Sequence, residues 1–121
     1  MQNDNLSDVL TRLRNGTKKG QVLIPLTRFN LNFCKILKEQ GFIKQFRLVT
    51  ESRFFIQAEL GNITNLKRLS KPGARLYVKN KQMTKVFNGI GVLIISTSQG
   101  IMTDREARYR SLGGELLCSI W

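Results

Sequence analysis

A chain of 121 residues suits one compact unit or two very small lobes, and 41% apolar residues is enough for a modest core and too much for a disordered tail. Twenty Lys/Arg against eight Asp/Glu give a net charge of +12, so a globular body needs an anionic partner to relieve its self-repulsion. No histidine is present, which removes the commonest general base and the commonest zinc ligand.

In chain order, Asp4 is a candidate N-cap for a first helix. Leu6, Val9, Leu10 and Leu13 have the spacing of one buried face, and Thr11, Arg12, Arg14 and Asn15 fall on the rest of the circumference. Gly16 is the expected left-handed stop. Lys18-Lys19-Gly20 then turns into a short strand, Val22 to Ile24, that Pro25 ends. Thr27 caps a second helix with Phe29, Phe33, Ile36 and Leu37 on its inner face and Gly41 as its stop. Phe42 to Val49 alternates as a strand, Thr50-Glu51-Ser52 is a turn, and Arg53 to Leu60 is the returning strand. Phe29, Phe33, Phe42, Phe46, Phe54 and Phe55 fall largely on inner faces.

The stretch from Gly61 to Ser70 is polar and ambiguous, and Lys71-Pro72-Gly73 marks the expected lobe boundary. Arg75 to Lys79 reads as a strand with Leu76 and Val78 on one face and Arg75, Tyr77 and Lys79 on the other. Lys81 to Asn88 reads as a helical turn, and Gly89-Ile90-Gly91 precedes the strand Val92 to Ile95. A loop of three hydroxyls, Ser96-Thr97-Ser98, follows with Gln99 and Gly100. Thr103-x-x-Glu106 then has the form of a reciprocal capping box for a short helix to about Ser111. Gly113-Gly114 opens the last strand, Glu115 to Trp121. The expected fold class is α+β in two lobes. Residues 1–68 form an α/β lobe in the order helix-strand-helix-strand-strand, and residues 69–121 form a mostly β lobe with one short helix.

The basic excess is spread along the chain, ten Lys/Arg against five acids in residues 1–60 and ten against three in residues 61–121. Nucleic acid is the first candidate partner, and an anionic membrane surface is the second. No long helix has the basic amphipathic face a membrane surface requires. The alternative is a merely basic soluble protein. Met1 to Arg14 reads as neither a signal nor a transit peptide, and no apolar run approaches a membrane span. Cys34 and Cys118 stand far apart in apolar surroundings and read as core thiols in a reducing compartment.

Three hydroxyls after a strand are ordinary turn formers. Two neighbours favour a binding role. Gln99 is an amide able to pair with a base edge, and Gly100 lets backbone approach a partner. Short hydroxyls reach RNA phosphates, ribose hydroxyls and base edges without clashing. Ser96 or Ser98 as a nucleophile lacks a histidine base. A Ser–Lys pairing stays open, but the local cations Arg105 and Arg108 remain protonated. No catalytic, metal or cofactor site is expected. The span Lys67 to Lys85 holds seven basic residues and no acid, with Tyr77 between Arg75 and Lys79. A lysine-rich edge strand also blocks aggregation, but an aromatic flanked by cations favours stacking on bases or ribose. Arg12, Arg14 and Asn15 are consistent with an ordinary solvated helix face. Gly89-x-Gly91 lacks the third glycine and the following helix of a dinucleotide site.

Several blocks then carry a resemblance. They are Leu10-Thr11-Arg12-Leu13-Arg14-Asn15-Gly16, Leu37-Lys38-Glu39-Gln40-Gly41-Phe42-Ile43, Ser70-Lys71-Pro72-Gly73-Ala74-Arg75-Leu76-Tyr77, Gly89 through Ser98, Gly100 through Arg108, and Gly113-Gly114-Glu115-Leu116-Leu117-Cys118. Over nearly its full length the chain resembles the bacterial-type family of the eighth protein of the small ribosomal subunit. The resemblance implies a two-lobe protein, not an enzyme, that binds a central-domain helix of small-subunit ribosomal RNA and supports assembly. It also implies neighbouring small-subunit proteins, the fifth among them, and in bacteria the messenger of its own operon. Ser96, Thr97 and Ser98 match the family's RNA-reading loop, with Gly114 and Glu115 beside it. Thr11, Arg14 and Asn15 match first-helix contacts, and Tyr77 falls in the second-lobe contact region. Lys71, Arg75, Gln99, Gly100, Arg105 and Arg108 complete the expected RNA-binding set.

Two departures stand out. Gln99 replaces the family's usual Lys or Arg, so a phosphate contact is lost there or exchanged for an amide hydrogen bond. Glu51 to Leu69 looks shorter than usual, so relatives' contacts there are not carried over. A general RNA chaperone or a messenger-binding regulator is the alternative function. The Asn-, Lys- and Ile-rich composition suits a mitochondrial or other organellar ribosome, and the bacterial cytoplasm fits as well.

Overall fold

The computed structural model describes residues 2–79 and 91–121, with side chains from Asn5 onward. The expected helical turn Lys81 to Asn88 and the Gly89-Ile90 pair lie outside the described residues. The chain divides into Met1–Ile63 and Thr64–Trp121.

In the first unit, α1 (Gln2–Gly16) begins before Asp4, which therefore lies inside the first turn instead of capping it. Acidic residues are favoured throughout a first turn, so their presence alone does not mark the cap. Leu6, Val9, Leu10 and Leu13 are buried, as their spacing requires. Gly16 ends the helix without a left-handed backbone. It is needed for space, since a Cβ there would lie 3.0 Å from the Gln21 carbonyl oxygen and 3.1 Å from Val22 Cβ. The left-handed residue is Gly20, at φ 78°.

Strand β1 (Gln21–Pro25) leads to α2 (Arg28–Glu39), whose ends match expectation. Thr27 Oγ1 accepts from the Asn30 amide at 3.0 Å. The buried Asn30 side chain donates to the Pro25 carbonyl at 2.8 Å, tying the strand end to the helix start. Beyond the C-cap, Gly41 is left-handed at φ 87°. Gly41 N donates to Lys38 O at 3.1 Å and Phe42 N to Leu37 O at 2.9 Å, the paired bonds of a Schellman motif. Strands β2 (Ile43–Glu51) and β3 (Arg53–Leu60) complete an antiparallel sheet in the order β1-β3-β2.

Phe33, Cys34 and Leu37 from α2 and Ile24, Ile56 and Ala58 from the sheet are core residues. The phenylalanines divide differently from expectation. Among the described residues only Phe33 is fully buried, Phe29, Phe42, Phe46 and Phe55 are half-buried, and Phe54 is 64% exposed. Phe54 shares the face of Ile56 by alternation but sits toward the hairpin turn, opposite Thr50. Alternation assigns a residue to a face and does not cover it.

In the second unit, β8 (Gly114–Ile120) is the hub. It pairs antiparallel with β4 (Leu66–Arg68), β5 (Tyr77–Val78) and β6 (Val92–Thr97), and β6 pairs with β7 (Gly100–Thr103). Strand β4 lies in the stretch that reads as ambiguous. Its pairing with Cys118–Ile120 draws residues 64–68 into the second unit, ahead of the boundary expected after residue 68. The expected strand over Arg75 to Lys79 is reduced to Tyr77–Val78, and Leu76 is 45% exposed. Helix α3 (Asp104–Tyr109) follows β7 directly. Val78, Leu93, Ile95, Met102, Ala107 and Leu116 form one core cluster, with Leu69 and Leu112 packed against it. Among the described residues no helix is long and apolar enough to cross a membrane.

Burial pushes the thiols of Cys34 and Cys118 up from 9.0 to about 12. Between these values the unfolded chain ionises while the folded chain stays neutral. Stability is therefore unaffected below pH 9 and falls above it, by about 1.4 kcal/mol per pH unit for each thiol. Urea denaturation from pH 8 to 11 should show a shallower decline for Cys34→Ala/Cys118→Ala than for the native chain. Equal declines would contradict the shifted thiols.

Candidate nucleic-acid interface

The hydroxyl segment is a hairpin tip. Ser96 and Thr97 extend β6, Gly100 begins β7 opposite Thr97, and only Ser98 and Gln99 form the turn. The segment is thus not a loop, as the sequence suggests, but the end of a hairpin whose second strand is β7. A two-residue turn leaves too little chain between the strands to be noticed as an element boundary. Thr97 Oγ1 donates to the Gly100 carbonyl at 2.8 Å and accepts from the Gln99 amide at 3.1 Å. Its hydroxyl is engaged in closing the turn. Among the described residues the hydroxyls of Ser96 and Ser98 have no hydrogen-bond partner.

Register places three of the expected residues in one row. Ser96 and Tyr77 both face Glu115, so Tyr77, Glu115 and Ser96 follow one another across β5, β8 and β6. Directly opposed residues share a sheet face and are close enough to act on one partner. Tyr77 is 68% exposed. Glu115 is half-buried, and its Oε2 is buried without a partner. Gly114 makes the row possible, because a Cβ there would overlap the Ser96 carbonyl oxygen.

Thr103 caps α3, its Oγ1 accepting from Glu106 N at 3.1 Å. The return bond of the capping box is absent, because the Glu106 carboxylate accepts from Arg110 Nε at 2.7 Å instead. Asp104 is buried. It accepts from Leu93 N at 3.3 Å and from Arg108 Nη1 at 2.8 Å, fixing the helix on β6. Arg108 is thus committed to a fold contact, whereas Arg105 is exposed. Arg110 was not among the expected residues, yet its Nη1 donates to Gln99 Oε1 at 3.0 Å. Its spacing from Glu106 signals the ion pair. Nothing local signals the approach to Gln99, eleven residues away.

Lys71 and Arg75 are exposed around the Lys71–Ala74 turn of the second unit. Thr11, Arg14 and Asn15 are exposed on α1 of the first. Their neighbour Arg12 is a fold residue, donating to Asp8 Oδ2 at 2.9 Å and to the Leu23 carbonyl at 3.0 Å.

Residues 4–121 match the sequence profile of the family described as ribosomal protein S8. The chain belongs to the ribosomal protein S8 family. It is 47% identical to a protein of Oltmannsiellopsis viridis named small ribosomal subunit protein uS8c, with all of both chains covered. It is 46% identical to the protein of that name from Chlorella vulgaris, again over all of both chains. It is 44% identical to small ribosomal subunit protein uS8 of Syntrophobacter fumaroxidans over 98% of this chain and 97% of the other. Ribosomal protein S8 is a structural protein family and not an enzyme family.

In this S8 chain, Gly114→Ala should lower stability by about 1–3 kcal/mol in urea denaturation, because the added methyl meets a strand carbonyl that cannot yield without breaking the sheet. A neutral substitution would show that β8 does not need the close approach.

Proposed function

We propose that the chain is a structural protein of the small ribosomal subunit that binds small-subunit ribosomal RNA through the tip and adjoining face of the β6–β7 hairpin. The observation that carries this reading is the row Tyr77–Glu115–Ser96 ending at a turn with an unpartnered Ser98 hydroxyl. Dispersed Lys and Arg supply affinity by releasing counterions from the RNA. The row supplies placement. Ser96 and Ser98 donate to or accept from ribose and base edges, Tyr77 offers a stacking plane, and Glu115 accepts from amino or hydroxyl donors. Thr97 contributes by shaping the turn. The target is an irregular helix in the central domain, where displaced bases open a groove that regular A-form RNA keeps closed. In this reading Lys71, Arg75, Gly100, Arg105 and Gly114 are further contacts of the second unit. Thr11, Arg14 and Asn15 serve as a separate contact set on the first, and Arg108 acts through its fold contact with Asp104.

The ribosome in question is that of an organelle or of the bacterial cytoplasm. Neighbouring small-subunit proteins, the fifth among them, are the protein partners in this reading. In a bacterial setting the messenger of its own operon is a second RNA for the same surface.

Ser96→Ala/Ser98→Ala should weaken binding to a central-domain rRNA fragment by roughly 1–3 kcal/mol per lost contact and leave binding to bulk duplex RNA unchanged. Filter binding with both RNAs measures this. Equal weakening on the two would remove the readout role and favour a general RNA chaperone instead.

A further inference from the structure

The hairpin tip contains no cation of its own, since residues 96–100 are Ser, Thr, Ser, Gln and Gly. The fold brings one to it. Arg110 is the C-cap residue of α3. Its Nε donates to Glu106 Oε2 at 2.7 Å on the helix, and its Nη1 donates to Gln99 Oε1 at 3.0 Å on the hairpin. Two acceptors on different elements thus hold one guanidinium. A guanidinium carries five N–H donors in a rigid planar fork. Two are engaged here, three remain, and the Arg110 side chain is 47% exposed.

The other arginines of the helix are placed differently. Arg108 is paired with the largely buried Asp104, and among the described residues Arg105 makes no hydrogen bond or ion pair to the hairpin. Gln99 is a suitable holder because its amide oxygen accepts a hydrogen bond without cancelling the charge. Glu106 takes only the Nε–H, so both hydrogens of Nη2 stay available for an incoming oxyanion. A guanidinium already oriented by two bonds loses less rotamer freedom on binding than a lysine on a flexible stem.

We infer that Arg110 is an RNA-binding residue of this chain, placing its guanidinium on a phosphate beside the Ser96 and Ser98 hydroxyls, with Gln99 and Glu106 as positioning residues. The inference rests on the reading of the β6–β7 hairpin as an RNA-docking surface. It also gives Gln99 a definite task. The amide stands where a lysine would put its own charge at the tip, and it recruits the charge of Arg110 instead. A lysine at 99 would repel Arg110 and so replace this contact more than add to it.

The test is filter binding of the full chain to a central-domain rRNA fragment across a monovalent salt series. The native chain, Arg110→Ala, Gln99→Lys and Gln99→Lys/Arg110→Ala are compared, with thermal melting of each. Arg110→Ala should weaken binding about tenfold. It should also reduce the salt slope by about 0.7–0.9, the loss of one phosphate contact. Gln99→Lys/Arg110→Ala should restore the slope, and Gln99→Lys alone should steepen it by less than one full contact. Should Arg110→Ala lower the melting temperature, Arg110→Gln, which keeps a donor for Glu106, repeats the measurement. An unchanged slope in the folded Arg110 variants would overturn the inference and leave Arg110 as a strut between helix and hairpin. A double variant that binds with the reduced slope would also overturn it, by showing that the tip does not face a phosphate. If the native chain does not prefer the rRNA fragment to an unrelated structured RNA, the RNA-docking reading itself fails, and that result is visible before any variant is compared.

Discussion

The second unit depends on how closely β6 and β8 approach each other, and that approach is set at two glycines. Gly91, just before β6, is left-handed at φ 75°, and a Cβ there would overlap the Ile120 carbonyl oxygen near the end of β8. Gly114, at the start of β8, would overlap the Ser96 carbonyl oxygen near the end of β6. The two contacts stand at opposite ends of one antiparallel pair. Everything else in the sheet follows from this pairing. Strand β8 is the strand on which β4 and β5 assemble, and β6 is the strand from which the β6–β7 hairpin returns. A glycine inside a strand costs roughly 0.5–1 kcal/mol relative to alanine, so Gly114 marks a steric need that outweighs the entropy, while at Gly91 the left-handed backbone and the close approach both call for glycine. The row Tyr77–Glu115–Ser96 is a direct consequence, since a wider β6–β8 spacing would separate Ser96 from the other two.

The same economy of space divides the three hydroxyls. Thr97 is β-branched and suits an extended strand, and its oxygen both donates and accepts within the turn. It stiffens the tip, so Ser96 and Ser98 are held in place on either side of it. Neither serine hydroxyl has a protein partner among the described residues. A rigid tip flanked by uncommitted hydroxyls loses little freedom on meeting RNA, which is what a placement element requires. Glu115 is half-buried in the middle of the row and brings a carboxylate to a chain otherwise rich in donors. A wholly cationic face would attract any RNA, whereas a fixed acceptor rejects those that present another acceptor there.

Much of the fold is legible in the sequence where the determining interaction is local. Thr27 and Gly41 bound α2 as their residue types predict, because a cap and a Schellman turn are completed within a few residues. The β2–β3 hairpin and the apolar stripe of α1 are legible for the same reason. Where two conformational roles share one residue type, the sequence is silent. Gly16 reads as a left-handed helix stop and Gly20 as part of the following turn, and only the close approach of Gln21 and Val22 shows that Gly16 supplies space while the left-handed residue is Gly20. Strand β4 is hidden because three residues of a polar stretch become a strand only by pairing with β8. At the candidate site the residue types and their neighbourhood are legible. The separation of Thr97 from its serines, the row through Glu115 and the arrival of Arg110 are not, because each depends on strand register or on contacts across the fold.

Three of the eight acidic residues in a chain with twenty Lys and Arg have a clear organising role. Asp8 holds Arg12, Asp104 holds Arg108 and Glu106 holds Arg110, each pair four residues apart on a helix with the acid on the N-terminal side. That orientation favours both the pair and the helix dipole, for about 0.3–0.5 kcal/mol each. Energies so small do not account for the stability of the fold. Their effect is geometric. The first pair aims Arg12 at the Leu23 carbonyl, securing α1 to the edge strand β1. The second seats Asp104 against Leu93 and fixes α3 on β6. The third presents Arg110 to Gln99 at the hairpin tip. In a molecule whose charge already guarantees attraction to a polyanion, further affinity is easily gained from any added cation, and discrimination is not. Discrimination requires cations at defined positions, and the few carboxylates are the groups that define them.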